Sequence, residues 1–395
     1  MRPRVLHVVS SLGVGGAETW LLRLQRHWSA VLDYDSPEID FLVTGGEVSV
    51  LDDELRALGS RIFYLDLRRG KIFRFVIELR QVLRNSNYIA IHDHQDCLAG
   101  WHFLFGVGLL PKVCVVHVHN PSYQLRSNYG ISTRRRLQLI AGKILLRCFS
   151  THVFGTSLQL LREYGIGGIG WSRQYVGAHY CSFDVSEFMG SHHQAKIALC
   201  NEVGWSTDCK LLLFAGRLDY SIDINHPQNH KNSAFALSIL NSCKNLNSNV
   251  KMVMAGSNIY IKHEFQRLID TMGLSDSVKL LGIRRDISHL MIAADGLLFP
   301  SRAEGLGMVA VEAQASGLPV FMSDAVPEEC IVIDELIHRI GLHQSPDEWA
   351  RVITEELAID RVDVIDCDSR WGYSGFNIEV GAQRLANVYK EKLFE

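Results

Sequence analysis

No two cysteines in this chain are spaced C-x-x-C, and the nine it has are scattered at positions 97, 114, 148, 181, 200, 209, 243, 330 and 367. An odd number without pairing excludes a disulfide scaffold or a zinc ribbon and points to a reducing compartment. No apolar run reaches 18 residues, so nothing in the sequence reads as a membrane-spanning helix. The opening Met1-Arg2-Pro3-Arg4 has the charge of a secretory leader, but the apolar stretch Val5 to Val9 after it is too short for one. The formal net charge is −3, with no excess of cations, so no nucleic-acid partner is expected. What is present is 395 residues with 47% hydrophobic and 21% charged side chains, an ordinary globular composition long enough for two or three domains.

Those residues alternate between two periodicities. Val5–Ser10, Ile39–Thr44, Ile62–Leu65, Tyr88–Ile91, Val113–Val118 and Thr151–Gly155 are short apolar runs rich in β-branched residues. Helical patterns lie between them, at Ala17–Leu32, Val48–Leu58, Ile72–Leu83 and Asp96–Val107. Repeated strand–helix units predict a parallel sheet covered on both faces. A glycine-rich stretch, Tyr164–Tyr180, then interrupts the pattern, and a linker is placed near 176–190. The alternation restarts with strands at Lys210–Ala215, Val250–Ala255, Val278–Leu281, Gly296–Phe299 and Pro319–Met322, and a last helix is read at Ile378–Phe394. In such sheets ligands bind beyond the carboxyl ends of the strands.

The chemistry-bearing motifs fall at those ends. After Gly296–Phe299 the chain reads Pro300-Ser301-Arg302-Ala303-Glu304-Gly305-Leu306-Gly307-Met308-Val309-Ala310-Val311-Glu312. Backbone N–H groups at Gly305, Leu306 and Gly307, at a helix start, form an anion site. Glu304 and Glu312 flank it. A ligand carrying both hydroxyls and a diphosphate satisfies carboxylates and amides together, and a nucleotide sugar is such a ligand. After the first strand, Leu12-Gly13-Val14-Gly15-Gly16-Ala17-Glu18 allows close approach to backbone. A dinucleotide fingerprint is a rival reading, but its third glycine position holds Glu18. His92, His94, His117 and His119 end the fourth and fifth strands. They would bind a metal only if ligands converged from two strand ends, and no metal is expected. Gly216-Arg217 follows the first strand of the second half, with Lys231 further on.

Taken together these motifs resemble the retaining, nucleotide-sugar-dependent glycosyltransferases of the GT-B fold, family 4 (group 1) type, over nearly the whole chain. The resemblance implies an α/β protein of two doubly wound Rossmann-like domains facing a central cleft. Residues 1–178 would form an N-terminal acceptor-side domain onto which the helix at 378–395 packs back. Residues 190–375 would form the nucleotide-sugar-binding domain. The implied reaction moves a hexosyl-type unit from a nucleoside diphosphate sugar to an acceptor hydroxyl with retention, in bacterial surface polysaccharide or glycolipid assembly. By the same resemblance Glu304 holds the donor sugar, Glu312 the ribose, and Gly305, Leu306, Gly307, Met308 and Val309 the donor through backbone. Gly15 and Gly16 lie over the diphosphate, which Gly216, Arg217 and Lys231 also engage. Arg284, in Leu281-Gly282-Ile283-Arg284, falls at the nucleobase pocket. His119 sits near the reaction centre, with Glu18 and His94 on the acceptor side. One departure is the long stretch Asp219–Asn229 between Arg217 and Lys231.

No cofactor and no metal are implied. The metal–diphosphate triplet D-x-D stands at no strand end where it would serve; Asp366-Cys367-Asp368 has the spelling but lies away from the other motifs. A nucleotide-sugar epimerase of the same fold and a nicotinamide-dependent oxidoreductase are the alternatives. The basic segment Arg134 to Arg147 carries five cations, no acid and apolar residues at helical spacing. It suits an anionic membrane surface and a lipid-linked or saccharide acceptor, with Arg68-Arg69-Gly70-Lys71 adding to the patch. The expected location is cytoplasmic, peripheral on the inner face of the cytoplasmic membrane.

Overall fold

The structure is a computed structural model that describes residues 2–13, 15–31, 36–67, 70–122, 133–256, 258, 260–359, 361 and 369–391. Arg68, Arg69, Val14 and the Asp366-Cys367-Asp368 triplet lie outside them. The chain divides into two compact units. The first comprises Met1–Ser122, Tyr129–Asp184 and Tyr373–Glu395, and the second is centred on Val185–Gly372.

In the first unit, β1 (Arg4–Val9), β2 (Glu38–Val43), β3 (Ile62–Tyr64), β4 (Tyr88–Asp93), β5 (Val113–Val118), β6 (His152–Gly155) and β7 (Tyr175–Ala178) form one parallel sheet. The strand order is β3-β2-β1-β4-β5-β6-β7, so the direction of winding reverses between β1 and β4. Its helices are α1 (Gly16–Ala30), α2 (Asp52–Ala57), α3 (Ile72–Asn85), α4 (Ala99–Gly106), α5 (Thr133–Phe149) and α6 (Leu158–Glu163). Leu6, Val8, Leu42, Ile91, Val116 and Val153 on the strands are buried against Phe75, Leu79, Phe103 and Leu146 on the helices. The central strands carry apolar side chains on both faces because helices cover both. Helices α4 and α5 pack closely through glycine. A Cβ on Gly100 would collide with the Gly142 carbonyl, and one on Gly142 with the Cys97 carbonyl.

The second unit repeats the plan with β8 (Lys210–Ala215), β9 (Val250–Ala255), β10 (Val278–Gly282), β11 (Gly296–Phe299), β12 (Val320–Ser323) and β13 (Ile337–Ile340), ordered β10-β9-β8-β11-β12-β13 and parallel throughout. Around it lie α7 (His192–Val203), α8 (Ser233–Leu246), α9 (Lys262–Thr271), α10 (Ile287–Ala293), α11 (Met308–Ala315), α12 (Pro346–Glu356) and α13 (Ser369–Gly372). Local signals set the ends. Gly204 closes α7 in the left-handed region, at φ 74°. Ser345 and Glu348 form a capping box ahead of α12, with a proline in its first turn. Trp349, Ile353, Leu237 and Phe214 belong to one buried cluster under this sheet. The final helix, α14 (Ile378–Lys390), is part of the first unit and packs on α1, β4 and β5.

Two strands differ from the sequence expectation. β7 occupies the start of the segment read as a linker, and β13 was not expected. Each lies at the edge of its sheet. An edge strand is covered on fewer sides, so its composition is mixed and it gives no apolar run.

Candidate active site

Each sheet brings its polar side chains together where its winding reverses, the place where doubly wound sheets bind ligands. In the second unit this point lies between β8 and β11. Gly216 follows β8 at φ 152°, in a region open to glycine, and Lys231 side-chain carbons lie 3.6 Å from where its Cβ would stand. A Cβ on the neighbouring Gly256 would strike the Gly216 carbonyl, so the two strand ends approach at backbone distance.

The long segment between Arg217 and Lys231 folds back on itself. Asn229 Nδ2 donates to the Ser221 and Asp223 carbonyls, both at 2.7 Å. Asp219 is buried and accepts from the Lys231 N–H at 2.9 Å and from the Ser233 N–H at 2.6 Å. Burial outweighs these bonds and pushes its carboxyl above the usual range. Asn258 Nδ2 braces the turn by donating to the Asp219 carbonyl at 3.0 Å. The insertion therefore delivers Lys231. Its Nζ donates to Glu304 Oε1 at 2.6 Å and stands 5.4 Å from the Phe299 ring centroid.

Arg217 is exposed, with its guanidinium carbon 5.0 Å from the centre of the Tyr220 ring. The buried His230 registers Arg217, Lys231 and Glu304 together. Its imidazole is held down to about 4, by burial first and by the two cations, with Glu304 opposing. Gly307 caps α11 in the left-handed region at φ 94°, and Met308 and Val309 open the helix. The first amides of a helix lack partners within it. Glu312 is buried on α11. Arg284 follows β10, and its guanidinium is paired within the unit. Asp286 at 2.7 Å and the Glu202 carboxylate take up its guanidinium, so its charge is spent on the surface of the unit.

In the first unit the reversal lies between β1 and β4, and the strand ends there carry histidines. Four contacts form one chain. His92 Nδ1 lies 2.7 Å from the Tyr389 hydroxyl, and that hydroxyl lies 3.1 Å from His7 Nε2. His7 Nδ1 lies 2.9 Å from His94 Nε2, and His94 Nδ1 lies 2.9 Å from His119 Nε2. Each neutral ring or hydroxyl has one hydrogen to give. From His7 to His119 the contacts are satisfied only when the rings donate in one common direction, and the Tyr389 hydroxyl, which both accepts and donates, joins them to His92. Burial holds His7 and His119 down to about 3, and drives His92 and His94 well below the usual imidazole value.

His117 lies beside this chain, its Nε2 3.0 Å from the His179 carbonyl, with Trp20 edge-on at 5.3 Å. Asp96, at φ 51°, accepts from the His119 N–H at 2.8 Å and from Asn120 Nδ2 at 3.0 Å. Burial raises its carboxyl to about 6. Glu18 folds over Gly15, where its carboxylate occupies the space a Cβ would take, and burial raises its carboxyl. Gly16 has open space around it.

Sequence reasoning missed Asp219, Tyr220, His230, Asn258, His7, Asp96, His179, Trp20 and Tyr389. His7 had a local signal, a polar ring inside an otherwise apolar parallel strand. The others are joined to the site only by the fold.

Comparison with known proteins gives a consistent result. Residues 201–363 match the family described as Glycosyl transferases group 1. EpsF of Bacillus subtilis (strain 168) is 28% identical over 390 residues, covering 98% of this chain and 96% of that protein. The UDP-Gal:alpha-D-GlcNAc-diphosphoundecaprenol alpha-1,3-galactosyltransferase of Escherichia coli is 35% identical over 355 residues, 88% of this chain and 86% of that protein. Among solved structures, Anabaena Alr3699/HepE in complex with UDP and glucose superposes with a TM-score of 0.74 at 18% identity, covering 97% of this chain and 98% of that one.

Proposed function

Because this chain belongs to the group 1 glycosyl transferases, we propose that it moves a hexosyl-type unit from a nucleoside diphosphate sugar to an acceptor hydroxyl with retained anomeric configuration. The process served is assembly of a bacterial surface polysaccharide or glycolipid. The observation that carries this reading is the Lys231–Glu304 pair at the switch point of the second sheet. It sets a cation for a diphosphate beside a carboxylate for sugar hydroxyls.

In this reading the donor diphosphate lies against Gly216, Arg217, Lys231 and the amides of Gly305 to Val309. As the sugar–oxygen bond breaks, negative charge grows on the departing diphosphate, and Arg217 and Lys231 stabilise it. Glu304 positions the transferred sugar and Glu312 the ribose. Gly15 and Gly16 allow backbone approach, while Glu18, His94 and His119 serve the acceptor side. His119 is held neutral by burial, which suits it to accept or donate a hydrogen bond. Arg284 keeps only a backbone role. A UDP-sugar is the first donor to try, since the Escherichia coli relative is a UDP-Gal transferase and HepE is complexed with UDP. The name of that relative also favours transfer over epimerisation and a diphosphoundecaprenol-linked acceptor.

Helix α5 supports work at a membrane surface. Leu137, Ile140 and Ile144 form a stripe 61%, 50% and 55% exposed, flanked by exposed Arg134 and Arg136. An apolar stripe edged by cations suits an anionic lipid surface. No helix among the described residues is long and apolar enough to cross a membrane.

The test is a melting-temperature series with UDP, GDP, ADP and their sugars. A ligand bound only by the native state, at about 100 times its dissociation constant, stabilises it by roughly 2.7 kcal/mol. No shift with any nucleoside diphosphate at millimolar concentration would overturn the reading.

A further inference from the structure

The histidine cluster of the first unit leaves buried polar atoms without partners. Four buried nitrogens there have no hydrogen-bond partner in the structure: Trp20 Nε1, His92 Nε2, His117 Nδ1 and His179 Nε2. Unsatisfied buried polar atoms are uncommon, and an ion is one of the standard reasons for them. We propose that His94, His117 and His119 form a binding site for a divalent transition cation of the zinc type.

One ring nitrogen from each of these residues lies within 4.8 Å of the other two. His117 is already arranged for ligation, and the other two rings need one hydrogen moved. His117 has its Nε2 3.0 Å from the His179 carbonyl, so that nitrogen carries the hydrogen, and Nδ1 is left as a bare lone pair. His94 has Nε2 against His7 Nδ1, leaving Nδ1 toward His119. With His94 Nε2 donating to His7 Nδ1, His119 Nε2 donates to the bare His94 Nδ1; a cation that takes these two nitrogens displaces that one hydrogen, which moves to His119 Nδ1. No net proton is lost. The second nitrogens of His94 and His117 then donate to His7 and to a carbonyl, the outer support that ligating imidazoles regularly have. The Asp96 carboxylate holds the backbone of His119 and supplies a nearby negative charge.

A second trio, His7, His92 and His94, also places its nitrogens within 4.8 Å. It is the weaker choice. Both nitrogens of His7 are engaged, and all three rings are buried. His94 is common to both trios, so only one can be filled with three imidazoles. His119 is partly exposed, which gives the chosen trio an entry route and an open fourth position. Imidazole ligands suit zinc, cobalt, nickel and copper rather than magnesium or calcium.

Cobalt(II) is the probe. Full-length protein freed of any polyhistidine tag and stripped with EDTA is titrated with cobalt, and visible absorption is recorded. The expected result is an intense tetrahedral spectrum saturating at about one equivalent and displaced by zinc. His119→Ala and His94→Gln should each weaken binding beyond the roughly 10–100-fold that loss of an outer supporting group costs. His263→Ala, at an exposed position on α9, should bind as wild type. Because buried variants can misfold, the metal-free melting temperature of His119→Ala is measured alongside and should stay close to wild type. No tetrahedral spectrum at millimolar cobalt would overturn the site. So would equal binding by a folded His119→Ala, which would place the cation elsewhere. Both readouts are independent of glycosyl transfer.

Discussion

Lys231 and Glu304, 73 residues apart in sequence, meet at 2.6 Å between Nζ and Oε1. The pair couples the two functions assigned to this point, since each group neutralises the other until a donor arrives. Glu304→Gln keeps the size and removes the charge. Transfer should fall by at least tenfold, about 1.4 kcal/mol, while affinity for free nucleoside diphosphate holds or rises because Lys231 is released. Glu312→Gln should instead weaken the nucleotide. Calorimetric titration of nucleoside diphosphate and turnover assays on both variants separate the roles, and the opposite pattern would exchange them.

Arg217→Ala should lower turnover at saturating donor by roughly a hundredfold or more, because the developing charge is lost as a partner. Arg217→Lys should recover only part of it, since a point charge does not reproduce a planar fork. Tyr220→Ala, which removes the ring under the guanidinium, should cost far less. Near wild-type release of nucleoside diphosphate by Arg217→Ala would move the leaving-group site elsewhere.

Gly256 has φ 137°, and its missing Cβ makes room for the Gly216 carbonyl. Gly256→Ala should cost about 1–3 kcal/mol in backbone strain alone. Each kcal/mol lowers the melting temperature by roughly 2–4 °C in a unit of this size. Differential scanning calorimetry should show the loss, and a melting temperature equal to wild type would contradict the close approach of β8 and β9.

The buried histidines set an acid limit. Burial holds His7 and His119 down to about 3 and His179 to about 4, and lowers His92, His94 and His117 as well. Free imidazoles titrate near 6.5. Below that value the unfolded chain binds protons that the native rings refuse, so stability is full above about 6.5 and is lost as pH falls. Each group contributes up to about 1.4 kcal/mol per pH unit. Asp96, raised to about 6, works in the opposite direction between about 4 and 6, but is one carboxyl against six rings. Melting temperatures in chelator should drop steeply from pH 7 to pH 5. A flat profile would mean the rings are hydrated.

Protein should sediment with vesicles containing anionic lipid and not with purely zwitterionic ones. Leu137→Asp together with Ile144→Asp should abolish this without lowering the melting temperature, because both side chains are exposed. Equal sedimentation by the double variant would remove α5 as the contact.

Much of the fold was legible because central parallel strands are apolar on both faces. β5, β8, β9 and β11 match the apolar runs residue for residue. The edge strands β7 and β13 were not legible, since Tyr175-Val176-Gly177-Ala178 and Ile337-His338-Arg339-Ile340 lack that signature. The site was readable wherever glycines and charges cluster within a few residues, as at Glu304 to Glu312. It was unreadable where partners converge from distant strands. Nothing near Asp219 announces that its carboxylate will position Lys231 through two backbone amides. The partner of Arg284 was equally unreadable, because Glu202 lies 82 residues away.

Tyr389 is fully buried and touches both His7 and His92. A ribosome makes residue 7 long before residue 389, so the first unit to be begun is completed only after the second unit has been made. Until α14 emerges, the face of the sheet that α14 will cover stays open while the whole second unit is being made. A chain terminated after residue 383 loses this helix's final turns and Tyr389 with them. It should be recognised by chaperones and proteases as unfinished, although nearly all of its motifs are intact.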